Sequence, residues 1–336
     1  MIDLVPLERL APALVEATGD AAWADLTVEL ISGGKSNLTF VLRSDAGELV
    51  LRRPPTGVLL PSAHDMEREA RVQVGLAGTD VPVAKVILAD DGALIGARCY
   101  VMERVDGHVI RGELPDGYAA LPKEREALSF TFADTLAALH AVDPAAVGLG
   151  DYGRPEGFMA RQVRRWSGQW EASRTHEVRE IDELGRRVAA AVPTQQASTI
   201  VHGDYRLDNV ICDRDEPGTI RAVLDWELST LGDPLADVVL LMLFWTGPGE
   251  PALSLIPGVT QLPGFPDRDA LLARYAETSD LDLSDLGFYR AFAHFKFAVI
   301  AQGVAARSAA GAMGGQDFGN LDDEILQLGR AGLELV

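Results

Sequence analysis

The chain is poor in basic residues relative to acidic ones. It carries 30 Lys and Arg against 50 Asp and Glu, which gives a formal net charge of −20. Because such an acidic surface repels the phosphates of nucleic acids, we predict that the chain does not bind nucleic acid. A phosphate-bearing ligand would have to meet a local patch of positive charge. The acidity either attracts a cationic substrate or serves solubility, and we favour solubility.

Cysteine and long apolar runs are also scarce. The two cysteines, Cys99 and Cys212, each lie in an apolar, strand-like run. No segment reaches the ~18 to 20 uninterrupted apolar residues of a membrane span, and residues 1–10 lack the basic patch and apolar core of a secretion signal. The histidines, including His140 and His294, do not have the spacing of zinc ligands. The sequence therefore predicts a cytoplasmic enzyme without structural disulfides, membrane spans or protein-ligated zinc.

Length and hydrophobic content favour an enzyme of two parts. The chain has 336 residues, 47% of them hydrophobic, which exceeds one ordinary domain. A helical pattern covers 7–18, and short apolar runs predict strands at 26–31, 38–43, 48–52, 83–89 and 98–103. Ser62 is a candidate cap for a helix that includes Glu69. Further helices are predicted at 130–140, 157–170, 235–245 and 285–306.

The most specific signal is the segment 201–209, Val-His-Gly-Asp-Tyr-Arg-Leu-Asp-Asn. Asp204 and Asn209 have the spacing of a kinase catalytic loop, in which the Asp accepts the substrate hydroxyl proton and the Asn binds magnesium. Two apolar runs flank a turn-forming segment between Asn209 and Asp225, and they predict a hairpin that returns Asp225 to the side of Asn209 as a second magnesium ligand. Taken singly, such carboxylates are typical of turns and caps, so the prediction depends on the joint pattern.

Five segments together resemble the aminoglycoside phosphotransferase-like kinases, most closely the phosphotransferase domain fused to some acyl-CoA dehydrogenases. They are 32–37 (Ser-Gly-Gly-Lys-Ser-Asn), 51–55 (Leu-Arg-Arg-Pro-Pro), 161–166 (Arg-Gln-Val-Arg-Arg-Trp), 202–209 and 224–237. The resemblance implies an α+β, two-lobed protein-kinase-like fold. The small lobe, residues 1–105, would contain an antiparallel sheet and one main helix, and the large lobe, residues 106–336, would be mostly helical. ATP would bind beneath a hinge near Gly107.

The loop at 32–37 is a candidate phosphate-binding segment. Its glycines let the backbone approach phosphates, and Ser36 and Asn37 can donate hydrogen bonds to them. The alternative is a tight hairpin turn with Lys35 facing solvent, because the spacing is neither that of a dinucleotide-binding loop nor that of a Walker loop.

Two further sets of nucleotide contacts are implied by the resemblance. Protein kinases place a Lys on the third strand; here Arg52 occupies that position, with Glu69 as its helix partner, and an Arg can bind two phosphate oxygens. The segment 99–104 matches the family hinge, whose backbone at Glu103 and Val105 would bind adenine.

Three residues in or near the catalytic loop have either a catalytic or a structural role. Arg206, two residues after the proposed base, would stabilise charge on the transferred group, or else form an ion pair with Asp208 or Asp204. We interpret His202 as a structural residue that packs inward and holds backbone. By resemblance, Asp237 would brace the catalytic loop through backbone hydrogen bonds.

The predicted helix at 157–170 is the candidate for acceptor recognition. Arg161 and Arg165 are four residues apart, as are Trp166 and Trp170, so they would form two stripes. The stripes are either a pocket with aromatic walls and cationic groups for an anionic acceptor, or a packed helix with solvated arginines.

The sequence thus predicts an ATP- and magnesium-dependent phosphotransferase that phosphorylates a hydroxyl group of a small molecule. The dehydrogenase-fused relatives suggest a hydroxyacyl thioester or a hydroxy acid as that molecule. One alternative is an aminoglycoside or choline-type kinase, which would line its acceptor pocket with acidic groups. Another is a nucleotide-binding pseudokinase, because Arg52 replaces the usual Lys. The oligomeric state is left open.

Overall fold

One antiparallel sheet forms the centre of the small lobe. The computed structural model describes residues 4–31, 37–56, 65–251, 253–256, 258–309 and 319–336. The sheet contains β1 (Thr27–Leu30), β2 (Leu38–Ser44), β3 (Gly47–Arg53), β4 (Val86–Asp90) and β5 (Cys99–Glu103). The strands pair in the order β1-β2-β3-β5-β4, and each neighbouring pair is antiparallel.

Side chains alternate along these strands and give the sheet two apolar faces. Leu51 packs on one face with helix α1 (Leu7–Thr18). Met102 packs on the opposite face with helix α2 (Met66–Leu76). Arg52 follows Leu51 on β3 and therefore points to the face that α2 covers.

The large lobe is mostly helical. Its described helices are α3 (Pro122–Ala141), α4 (Phe158–Ser173), α5 (Arg179–Ala190), α6 (Leu235–Phe244), α7 (Arg268–Ala276), α8 (Gly287–Ala309) and α9 (Leu321–Leu333). Among them lie two pairs of short strands, β6 (Thr199–Val201) with β9 (Thr230–Gly232) and β7 (Val210–Cys212) with β8 (Ile220–Val223). Every residue of α6 is buried, as expected for a helix that is apolar on all sides. None of the described helices is both long and apolar enough to cross a bilayer.

The predicted elements are present, with some ends shifted. Helix α2 begins at Met66, and the Asp65 carboxylate caps it by accepting a backbone N–H of the first turn at 3.2 Å; Ser62 lies outside the described residues. Helix α3 begins earlier than the predicted residue 130. Pro122 takes the first helical position, and the Glu124 carboxylate accepts the backbone N–H of Leu121 at 3.0 Å. The sequence does not predict α5, α7, α9, β6 or β9.

Gly107 lies where the chain leaves the sheet for the large lobe. The next residue, His108, exchanges two backbone hydrogen bonds with Cys212, each 2.8 Å long. A Cβ atom at Gly107 would overlap the Cys212 carbonyl oxygen, so only glycine fits there. The position suits a hinge, while the lobe boundary at residue 105 stays a prediction.

Candidate active site

One buried carboxylate supports the catalytic loop between β6 and β7. Asp237 of α6 is 1% exposed, and its two oxygens accept the backbone N–H groups of His202 at 2.5 Å and Gly203 at 2.9 Å. Burial acts to raise the pKa of Asp237, but the His140 ring and the His202 N–H outweigh it and hold that pKa below its ordinary value. Asp237 therefore braces the loop, as the resemblance implies.

His202 supports the loop from within. Its buried ring accepts the Asp204 N–H at Nδ1, 3.2 Å away, so Nε2 carries the hydrogen and donates to the Leu224 carbonyl at 2.8 Å. Gly203 has a φ of +86°, and a Cβ there would come within 3.0 Å of Leu228. These contacts fix the backbone that presents Asp204, and they agree with a structural role for His202.

Asp204 and Asn209 are bonded to each other within the loop. The Asn209 amide nitrogen donates to the Asp204 carbonyl at 2.8 Å and to the Asp204 carboxylate at 3.2 Å. Because both of its N–H donors are used, the Asn209 side chain offers its amide oxygen to any further ligand. The Asp204 side chain is 30% exposed, so its carboxylate can receive a proton from a bound molecule.

The β7–β8 hairpin brings Asp225 beside Asn209, as the sequence predicts. The Leu224 N–H donates to the Asn209 carbonyl at 2.8 Å, so the next residue, Asp225, lies at the same end of the hairpin. Asp225 has a left-handed backbone with φ 64° and ψ 61°. That conformation is uncommon for a residue other than glycine and is often found at functional sites.

Asn209 and Asp225 present the oxygen ligands that magnesium prefers. Within the described ranges, no group of three or more His, Cys, Asp or Glu is arranged to hold a metal ion by itself. Magnesium typically uses one or two protein ligands and completes its octahedron with phosphate oxygens and water. The residues therefore fit a magnesium ion bound together with a nucleotide.

Arg52 links the two lobes. Its Nη2 lies 3.2 Å from the Glu69 carboxylate on α2 and 3.4 Å from the Asp225 carboxylate. Burial raises the pKa of Glu69 to about 7, against the opposing effects of the Arg52 guanidinium and of the Tyr100 hydroxyl, which donates to Glu69 at 3.0 Å. Arg52 is thus paired with Glu69 as expected for a replacement of the strand lysine.

The other predicted nucleotide contacts are placed only in part. The Asn37 amide donates to Glu69 at 2.8 Å, so that N–H supports Glu69. Ser36 lies outside the described residues with the rest of 32–36. The Glu103 N–H donates to a neighbouring main-chain carbonyl at 2.9 Å, and Val105 is half-buried against the α2 face of the sheet. Phosphate contacts from Ser36 and Asn37, and adenine binding at Glu103 and Val105, stay predictions.

Arg206 forms both of the ion pairs considered as alternatives to a catalytic role. Its Nη2 lies 3.2 Å from the Asp208 carboxylate, and its Nε lies 3.4 Å from the Asp204 carboxylate. The guanidinium is also 5.8 Å from the centre of the Phe244 ring. Arg206 is therefore beside the proposed base, and its action on the transferred group stays a prediction.

A cavity of about 80 Å³ adjoins the catalytic loop on the side of α4 and α8. Its wall includes Gly203 of the loop, Arg165 and Trp166 of α4, and Lys296 of α8. The Lys296 ammonium donates to the Gly203 carbonyl at 3.0 Å. Lys296 thus contacts the residue that precedes the proposed base, and the buried carboxylate of Asp237 also lines the cavity.

The two predicted stripes on α4 have mixed roles. Arg165 and Trp166 line the cavity. Arg161 instead donates to main-chain carbonyls just before the helix, and the Trp170 indole N–H donates to Asp182 at 2.7 Å. One member of each stripe faces the cavity and the other holds the helix in place, so neither interpretation applies to a whole stripe.

A separate cavity of about 500 Å³ lies among α6, α7, α8 and α9. Its acidic lining residues are Glu250, Asp323 and Glu324. On α8 it is lined by Arg290 and His294, which lie on the opposite face of that helix from Lys296. The lining of this cavity includes no residue of the catalytic loop, 201–209.

Comparison with known proteins identifies the family. The model of the phosphotransferase enzyme family matches residues 27–295. The chain belongs to this family. It is 35% identical over 338 residues to acyl-CoA dehydrogenase family member 11 of Rattus norvegicus, an alignment that covers 99% of this chain and 43% of the rat protein. A solved structure from Ralstonia eutropha JMP134, described as a candidate aminoglycoside phosphotransferase, is 34% identical with a TM-score of 0.84 and 98% of each chain covered.

More distant solved structures share the fold of this phosphotransferase. A thermostable mutant of aminoglycoside phosphotransferase APH(4)-Ia, in complex with AMP-PNP and hygromycin B, has a TM-score of 0.60 at 16% identity, with 97% of this chain and 98% of that chain covered. The two-lobed α+β kinase-like fold is therefore confirmed, and membership of the family makes the chain a phosphotransferase. It spans 43% of the length of its rat relative.

Lys296 belongs to the site but was not predicted from the sequence. One signal was present, because this charged residue lies between Phe295 and Phe297 in a stretch of a helix that is otherwise apolar. Its contact with Gly203 joins positions 93 residues apart, which no local pattern reveals.

Proposed function

We propose that this phosphotransferase transfers the γ-phosphoryl group of ATP to a hydroxyl group of a small molecule and uses magnesium. The observation that carries the proposal is the joint placement of Asp204, Asn209 and Asp225 at one end of the β7–β8 hairpin. Family membership supports a phosphotransferase, and the fold neighbour solved with AMP-PNP, an ATP analogue, supports ATP as the donor.

Asp204 acts as the base. Its carboxylate takes the proton of the acceptor hydroxyl while the hydroxyl oxygen bonds to the γ-phosphorus, and the bond from that phosphorus to the β–γ bridging oxygen breaks to release ADP. The Asn209 amide nitrogen donates to this carboxylate at 3.2 Å. The bond orients the base, and because the amide is neutral, it does not cancel the negative charge of Asp204. Asp237 keeps the backbone of the loop in position.

Charge on the phosphates is met by Asn209, Asp225, Arg52 and Arg206. Magnesium neutralises phosphate charge when it is bound, and the Asn209 amide oxygen and Asp225 carboxylate would hold it. The Arg52 guanidinium can bind two phosphate oxygens, and its ion pair with Glu69 keeps it in place. Arg206, beside Asp204, stabilises negative charge on the transferred group.

A hydroxyacyl thioester or a hydroxy acid is the acceptor that we propose. Curated relatives are named as acyl-CoA dehydrogenase family members, which supports an acyl substrate. Arg165 and Lys296 line the cavity beside the loop and support an acceptor with negative or partial negative charge, because the Asp237 carboxylate, which also lines it, is bonded to the backbone of the loop. The same lining would repel an aminoglycoside or choline. Arg52 in place of Lys is the one feature in favour of a pseudokinase, and its pairing with Glu69 argues for retained activity.

The test is magnesium-dependent turnover of ATP against hydroxyacyl-CoA thioesters, free hydroxy acids, aminoglycosides and choline, with Asp204→Asn assayed alongside. We expect turnover to be stimulated by the acyl acceptors, a phosphate ester to be detected by phosphorus NMR, and both to be lost in Asp204→Asn while ATP still binds. Stimulation by aminoglycosides or choline alone would establish the alternative kinase. ATP binding without product on any acceptor would support the pseudokinase.

A further inference from the structure

The wall of the cavity beside Gly203 contains a hydrogen-bond donor without an acceptor. Trp166 is 9% exposed, and its indole N–H has no hydrogen-bond partner in the described part of the chain. Buried polar groups are nearly always hydrogen-bonded, because an unpaired one destabilises the fold. An indole N–H can only donate, so its missing partner must be an acceptor atom.

Two cations flank the same indole. The Lys296 ammonium lies 5.5 Å from the ring centre, and the Arg165 guanidinium lies 5.6 Å from it. Burial lowers the pKa of Lys296 and Arg165 adds to that effect, while Asp204 and Asp237 oppose it. Within the described ranges Arg165 forms no ion pair with an acidic side chain. A negative or acceptor group placed near this indole would interact favourably with both cations.

The cavity has a fixed relation to the proposed base. The Lys296 ammonium donates to the carbonyl of Gly203, the residue that precedes Asp204. A group in the cavity and a hydroxyl at Asp204 can therefore belong to one small molecule. The volume of about 80 Å³ has room for a carboxyl-sized group.

We propose that Trp166, Arg165 and Lys296 form the subsite for an acyl oxygen of the acceptor, an oxygen that accepts hydrogen bonds and donates none. The inference rests on the proposed function. The carboxylate of a hydroxy acid and the carbonyl of a hydroxyacyl thioester share this chemistry. The indole N–H donates to the acyl oxygen, and the two cations stabilise its charge.

Trp166→Phe tests the subsite most cleanly, because it removes the N–H and keeps an aromatic ring. We expect the KM for a straight-chain hydroxy acid to rise about tenfold, the KM for ATP to stay unchanged, and the unfolding midpoint to stay unchanged or rise. Arg164→Gln, at an exposed position of the same helix, is the matched control and should keep the KM of the parent. An unchanged acceptor KM in Trp166→Phe would overturn the inference. A diol, which has a hydroxyl in place of the carboxylate, should bind more weakly than the acid, and equal binding of the two would also overturn it.

Arg165→Gln distinguishes the two sources of the acyl oxygen. A free acid carries a full negative charge and a thioester carbonyl does not, so a larger rise in KM for the acid would assign the carboxylate. An equal rise for both would assign the carbonyl. No rise for either would count against the subsite.

Calorimetry separates failure of the subsite from failure of the proposed function. Butyrate has the carboxylate and lacks the hydroxyl, so it should bind the parent and bind Trp166→Phe about tenfold more weakly, whether or not phosphoryl transfer occurs. 1-Butanol should not bind. Butyrate binding without transfer to any acceptor would refute the proposed function alone. Transfer to acyl acceptors that does not depend on Trp166 or Arg165 would refute the subsite alone.

Discussion

Replacement of Asp237 by Asn should weaken both the fold and the catalytic loop. The carboxylate accepts two backbone N–H groups, from His202 and Gly203, whereas an amide has one acceptor oxygen. One buried donor is then left unpaired, which costs about 1–3 kcal/mol. The remaining bond loses its charge assistance, which removes about 1 kcal/mol more.

We therefore expect the free energy of unfolding of Asp237→Asn to fall by about 2–4 kcal/mol, against a typical total of about 5–15 kcal/mol. The variant should fold, but with a displaced loop. Because a misplacement of about 1 Å can cost about 100-fold in rate, kcat should fall by roughly that factor. Urea denaturation measures the first effect, and steady-state assays well below the unfolding midpoint measure the second.

Asp233→Asn is the matched control. Asp233 is fully buried like Asp237, but its carboxylate accepts the Leu235 N–H at 3.1 Å and the Tyr289 hydroxyl at 2.7 Å, away from the catalytic loop. Its variant should lose stability and keep a kcat close to that of the parent. Equal losses of kcat in both variants, or parent-like stability and kcat in Asp237→Asn, would refute the reasoning.

Three other contacts give measurable expectations. The pKa of Glu69, raised by burial to about 7 from 4.5, should make the KM for ATP fall from about pH 6 to about pH 8 as Glu69 ionises and attracts Arg52; Glu69→Gln should flatten this profile. The raised pKa of Glu69 also stabilises the fold below about pH 4.5, and that contribution is lost as the pH rises through about 7. Urea denaturation at a series of pH values would measure this loss. Asn209→Ala should raise the magnesium concentration for half-maximal turnover at least about tenfold, and an unchanged requirement would argue against Asn209 as a ligand. Gly107→Ala should lower the free energy of unfolding by about 1–3 kcal/mol because its Cβ overlaps the Cys212 carbonyl, whereas Gly112→Ala, in open space, should not.

Sequence was sufficient where neighbours in the chain determine the structure. The hairpin between Asn209 and Asp225 was predictable because two apolar runs flank a turn-forming segment, and the structure pairs Val210 with Val223 accordingly. Helix α1 has the predicted bounds because its apolar residues recur at helical intervals. The proposed base, Asp204, and the proposed ligand Asn209 were predictable because both belong to one short motif with a fixed spacing.

Contacts between distant segments could not be predicted. The Asn37 amide meets Glu69, and Lys296 meets Gly203, through folding of the whole chain rather than through any local pattern. Strands β6 and β9 have three residues each, too few for an alternating pattern to be recognised. The division of the α4 stripes also depends on what packs against each side chain, as the bond from Trp170 to Asp182 shows.

Phosphoryl transfer by Asp204→Asn, on the best acceptor of the panel, tests the central claim most directly. Asn keeps the shape of the side chain and cannot take the hydroxyl proton as a carboxylate does. We predict that kcat falls by about 10² to 10⁴-fold, the usual contribution of a general base, while the dissociation constant for ATP and the urea midpoint stay close to those of the parent. A variant that transfers the phosphoryl group at the parent rate would contradict the assignment of Asp204 as the base and, with it, the mechanism proposed for this site.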